Sequence, residues 1–202
     1  MKGLKPTQTL PDGYQDAGEF DLNENRGLAL ILNLAGVGLL FGVSWLLTRG
    51  LAFLRPTYMS TENILVITGM REFWRGLLLL VVSLGLMIFL NEGMRGIILW
   101  IVTRRRPELH FHGLNTHAAA PDWYLPRNTA IAIRLTPLIV ITLVGVGLVP
   151  LVPLNLVPGV LLLVSINIAS AVTDGVTVWW LLRKPKSSLV LDDGDRVCVF
   201  TE

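Results

Sequence analysis

Cysteine, histidine and charge are all scarce in this chain of 202 residues. The single cysteine, Cys198, excludes an intrachain disulfide and says little about redox compartment. The only histidines, His110, His112 and His117, lie together in one loop, so none stands on an apolar segment. Charged residues make up 16% of the chain against 52% hydrophobic ones, which is the balance of a membrane protein. No tandem repeat and no low-complexity tract is present. A cleavable signal peptide is not expected, because the first 27 residues carry five acids and three bases and the first apolar run comes too late. A net charge of +2 gives no reason to expect nucleic acid as a partner. The lipid bilayer is the expected partner, with another membrane protein as a further candidate.

The apolar residues are gathered into four runs, each near the 20 or so residues that a span requires. Leu28–Leu47 carries no charge and is bracketed by Arg26 and Arg49. Gly76–Val102 holds Glu92 and Arg95, Thr129–Leu151 holds Arg134 in its first turns, and Pro158–Leu182 holds Asp174. The last two runs are joined by a short proline-bounded turn and should form a hairpin. Eleven of the loop lysines and arginines fall in the two tails and the loop after the second run, and four fall beyond the first run. The positive-inside rule then places both termini in the cytoplasm of a multi-pass inner-membrane protein. The runs Arg104–Arg106 and Arg183–Lys186 read more simply as topology anchors than as sites of specific lipid recognition.

Three regions follow from this layout. Residues 1–27 are polar and aperiodic and read as a mobile cytoplasmic tail. Residues 28–75 supply the first transmembrane helix and an extracytoplasmic loop, in which Ile64–Ile67 could be a short strand or a piece of helix resting on the bilayer. Residues 76–202 form the main membrane domain. Within it, alternation around His110 and His112, followed by Gly113 and Asn115, predicts a cytoplasmic β-hairpin. Trp123 and Tyr124 fit an interfacial position before the third helix. Ser188–Leu191 and Arg196–Phe200, separated by Asp-Asp-Gly-Asp, read as two short strands around a turn. The histidine loop beside Glu108 and the Asp192–Asp195 run are weak metal candidates. Neither has the spacing of a known site, and solvated histidines and a simple turn explain them better.

Ionisable residues inside a membrane are costly and mark functional sites by default. Arg95 lies nine residues before Arg104, and Asp174 nine before Arg183, about 13 Å from each basic anchor at the helical rise. Arg134 lies about 10 Å beyond Arg127, and Glu92 is one turn from Arg95. Two acids and two bases from three helices therefore reach one layer, where Glu92, Arg95, Arg134 and Asp174 can pair, with snorkelling to the interface as the alternative for Arg134. Asn167, Ser170, Asp174 and Thr177 recur at helical spacing and form a single polar stripe on the last helix. For Ser170 and Thr177 that stripe is interhelical glue. For Asp174 the same reading is the weaker alternative, because an acid costs more in the membrane than a hydroxyl.

The segment Asn91-Glu92-Gly93-Met94-Arg95-Gly96 has the spacing of a helical His-Glu-x-x-His-Gly motif. Downstream come Ala118–Pro121, Tyr124-Leu125-Pro126-Arg127-Asn128, Asn167, Ser170 to Asp174, and Pro185 to Asp195 with Leu189-Val190, Asp192 and Gly194-Asp195. In that order, the pattern resembles a bacterial membrane family of zincin peptidases, first known as a domain of unknown function. Its members look like small relatives of site-2-type intramembrane metalloproteases. The resemblance covers roughly Gly76 to Phe200. It implies a zinc ion held by two motif histidines and a third ligand at Asp174, with Glu92 as general base for a zinc-bound water.

Here Asn91 and Arg95 stand at the two histidine positions. An amide is a poor zinc ligand, and a guanidinium stays protonated and repels a dication. The expectation is therefore an all-α membrane protein of four transmembrane helices, with a short cytoplasmic β-hairpin and a C-terminal β tail, on a zincin-like, site-2-protease-like scaffold. Its metal site is degenerate at Asn91, Arg95 and Asp174, its general base Glu92 is vestigial, and no cofactor is expected. An active zinc metalloprotease using Glu92 and Asp174 is the enzyme alternative. A small transporter is the third, against which stands the lack of an internal repeat.

Overall fold

The computed structural model describes residues 4–22, 24–54, 69–104, 108–112, 115–119, 123–193 and 196–202. Its elements run β1 (Gln15–Asp21), α1 (Arg26–Leu54), α2 (Met70–Thr103), β2 (Glu108–His112), β3 (Asn115–Ala119), β4 (Tyr124–Pro126), α3 (Arg127–Leu148), α4 (Val157–Leu182), β5 (Leu189–Asp192) and β6 (Arg196–Thr201). Four of the described helices are long and apolar enough to cross a membrane. Their exposed apolar side chains fit that setting: Leu34 is 64% exposed, Phe41 70% and Phe89 73%, which only a hydrocarbon solvent makes favourable. The expected strand or surface helix at 64–67 lies outside the described residues.

Helix ends follow local chemistry. Asn25 caps α1 by accepting the Leu28 amide on Oδ1 at 3.2 Å. Glu72 sits in the first turn of α2, where the helix dipole favours an anion. At the other end of α2, Arg104 takes φ 59°, the left-handed conformation that stops a helix. Helix α3 ends at Leu148, three residues before the apolar run does, because Pro150 cannot continue it and the chain tightens into bonds such as Leu151 N–H to Leu148 O.

The chain divides into two compact units. One comprises 1–32, 92–137 and 173–202, the other 33–91 and 138–172. The first unit contains every described strand. A four-stranded antiparallel sheet has the order β1-β6-β5-β4, and β2 pairs with β3 as a separate hairpin. The C-terminal β tail is thus the centre of a larger sheet. The N-terminal segment, expected to be a mobile tail, supplies its edge strand. Gln15 pairs with Thr201 and Asp21 with Arg196, with a bulge between Asp16 and Glu19. Gly18 at φ 119° makes that bulge, and its amide bonds to Asp16 Oδ1 at 2.8 Å. The polar composition of residues 1–27 hid this strand because its anchors are few: Phe20 rests 5.7 Å from the Trp180 ring, and Lys184 Nζ donates to Ala17 O. Further upstream, Thr7 exchanges two backbone hydrogen bonds with Tyr124, so the same segment covers both edges of the sheet. Tyr124, expected at the membrane interface, is the first residue of β4. The core here is Leu99, Leu125, Ala130, Ile133, Leu181, Val190, Val197 and Val199.

In the second unit, Leu51, Val149 and Val157 form the apolar centre. Small and polar residues bring the helices close. A Cβ added at Gly145 would lie 2.3 Å from Val164 Cγ2. Asn167 Nδ2 donates to Leu138 O at 3.2 Å and Thr142 Oγ1 at 3.1 Å, and Ser83 Oγ donates to Gly159 O at 3.2 Å. These are interhelical bonds of the kind that small polar side chains make in membranes.

Candidate functional site

The buried charges of the first unit meet in one network. Arg95 comes from α2, Arg134 from α3, Asp174 from α4 and Asp192 from the end of β5. Arg134 binds Asp192 in a fork, Nε to Oδ2 at 2.8 Å and Nη2 to Oδ1 at 2.6 Å. Its third donor, Nη1, reaches Asp174 Oδ1 at 3.0 Å. The other carboxylate oxygen, Asp174 Oδ2, accepts a hydrogen bond from Arg95 Nη2. The four side chains are 5–19% exposed. Among these four residues, two carboxylates face two guanidiniums, so their formal charges balance. Burying charge is tolerable only with such pairing and geometry. The fork also uses the planar donor pattern that arginine has and lysine lacks.

Glu92, half-buried, lies one turn before Arg95 on the same helix, and Asn91, also half-buried, lies four residues before it. Arg95 Nε is buried with no hydrogen-bond partner among the described residues. Asn167 and Ser170, on the same polar stripe as Asp174, belong to the second unit, where Ser170 Oγ donates to Asn167 O at 3.0 Å. The side chains of the histidine loop lie outside the described residues. Its backbone pairs His110 with His117 and His112 with Asn115.

Two residues of the first unit escaped sequence reasoning. By composition Asp192 belongs to a turn. The available signal was strand period: Asp192 shares a face with Val190, which is fully buried. In the sequence Arg127 counts only as one of the basic residues of the loop after the second run. It is 6% exposed, and its Nη1 donates to Lys184 O at 2.5 Å, just past the end of α4.

Four membrane-competent helices, a small antiparallel sheet and a buried Arg–Asp network define the class of a multi-pass membrane protein. The chain matches a family model described as "Putative zincin peptidase" over residues 84–189. That is more than half of it, and the chain belongs to this family. Among curated proteins and among solved structures, nothing matches.

Zincins work with zinc, so the donor set must be tested against the metal. It does not fit. Of the three positions to which the sequence resemblance assigns ligands, Asn91 is an amide, Arg95 is a guanidinium, and Asp174 has each oxygen turned to an arginine. A dication brought there would displace hydrogen-bonded cations and then be repelled by them. Among the described residues, no group of three or more His, Cys, Asp or Glu is placed to hold a metal ion.

Proposed function

We propose that this chain is a non-catalytic member of the zincin peptidase family, in which Arg95 supplies the positive charge that a zinc ion would supply in an active relative. The carrying observation is the double engagement of Asp174 by Arg95 and Arg134. A carboxylate held on both oxygens is a structural anion, not a vacant ligand. Glu92 then remains as a general base with no metal-bound water to deprotonate. On this reading the scaffold binds or shields a membrane partner, or regulates an active relative, from the inner membrane with both termini cytoplasmic. The lysine and arginine distribution along the chain supports that orientation.

Elemental analysis of the purified protein tests the proposal. Stoichiometric zinc that a chelator removes, and that Asp174→Asn abolishes while Glu92→Gln retains it, would establish the metalloprotease reading instead. A zinc-free wild type together with zinc uptake by the Asn91→His, Arg95→His double variant is the expected pair of results. No uptake by the double variant would mean that residues 91 and 95 do not occupy ligand positions.

A further inference from the structure

The second unit contains an apolar cavity of about 340 Å³, remote in sequence from the charged network. Leu46, Gly50 and Leu51 of α1 form one wall, Val149 just past α3 and Val164 of α4 form the other, and Arg49 lines it as well. Val164 packs against α3 at Gly145, where an added Cβ would lie 2.3 Å from Val164 Cγ2. At Gly50 an added Cβ would meet nothing within 4 Å, so α1 leaves space there. Leu51 is 1% exposed, Val149 2% and Val164 not at all, so they form a buried floor, while the exposed Leu46 and Phe53 stand at an open mouth. Its volume falls within the range of ligand sites. Water does not stably fill an apolar void, and an empty one forfeits dispersion contacts.

Arg49 supplies the second half of the recognition. It is exposed, and its guanidinium lies 5.4 Å from the Trp45 ring centroid. Among the described residues no acid forms an ion pair with it. A cation beside an aromatic ring at the end of a membrane-spanning helix is where lipid headgroups lie. We infer that this cavity is a binding site for an anionic phospholipid, with one acyl chain packed between Gly50 and Val164 and the phosphate paired to Arg49. The hydrocarbon wall selects the chain, and the arginine selects an anionic head over a zwitterionic one.

The test uses the full chain in nanodiscs of equal parts phosphatidylglycerol and phosphatidylcholine, with retained lipid read by native mass spectrometry. Wild type should hold one phosphatidylglycerol tightly. Gly50→Leu, which grows into the cavity, should lose it, and Arg49→Gln should lose the preference for phosphatidylglycerol while still retaining lipid. Equal retention of the two lipids by wild type, or unchanged retention by Gly50→Leu, would overturn the site. Should Gly50→Leu fail to fold, quenching by brominated chains decides. The component of fluorescence lost in Trp45→Phe should be quenched more by brominated phosphatidylglycerol than by brominated phosphatidylcholine. Equal quenching would mean that only bulk lipid contacts this face.

Discussion

A carboxylate has two oxygens, and at Asp174 each faces a different arginine. This ranks the residues of the network. Removing one partner of a buried ion pair costs about 3–5 kcal/mol, because it strands the other charge. Asp174→Asn should approach that loss, since it weakens the pairing of Arg95 and Arg134 together. Arg95→Met should cost less, because Asp174 keeps Arg134 and Arg134 keeps Asp192. Thermal unfolding of the two variants in detergent reads the order, and equal stability of all three proteins would mean that the network contributes no net stability. The distances of Arg95, Arg134 and Asp174 from basic anchors are legible in the sequence, because a helix converts residue number into depth. Asp192 was hidden because it sits in an Asp-rich run with the composition of a turn. Only strand pairing turns its side chain to the face that Val190 occupies.

Elements repeat the lesson with a different division. All four helices are legible as apolar runs, with ends displaced by capping and proline. The N-terminal strand is not, because β1 has few apolar anchors and is held largely by backbone bonds to β6, about 180 residues later. Helix contact rests on small residues. At Gly145 a Cβ would lie 2.3 Å from Val164 Cγ2, and valine is stiff at χ1 and cannot swing aside. Gly145→Ala should therefore destabilise by about 1–3 kcal/mol despite the better helix propensity of alanine. Adding Val164→Ala should recover part of that loss, and additive costs in the double variant would show that the two positions do not touch. In the sheet, Cys198 lies opposite Glu19 on one side and Leu191 on the other. Burial pushes its thiol pKa up, with Arg196 pulling weakly the other way. A raised pKa means less thiolate at neutral pH, so iodoacetamide should label Cys198 more slowly than a free thiol, and faster as pH rises. Rapid labelling at neutral pH would mean that β6 is not held between its neighbours.

At the scale of the whole molecule, two independent observations constrain where the ends of the chain lie. Four membrane-competent helices return it to the side from which it started if each of them crosses. Separately, β1 and β6 pair in an antiparallel register from Gln15–Thr201 to Asp21–Arg196, and strands on opposite faces of a bilayer cannot hydrogen-bond. Crossing number is legible in hydropathy. The pairing of the ends is not, since nothing in a polar segment announces a partner so far along the chain. Both arguments require the termini to share a side, and the basic residues of the tails favour the cytoplasm. A fluorescent protein fused to either terminus should therefore fluoresce, while a phosphatase that needs export should be inactive at both positions. Termini reporting from opposite sides would contradict both the β1–β6 pairing and the four crossings. Two exported termini would leave the fold intact and reverse the orientation alone, so the experiment separates the architecture from the charge rule that orients it.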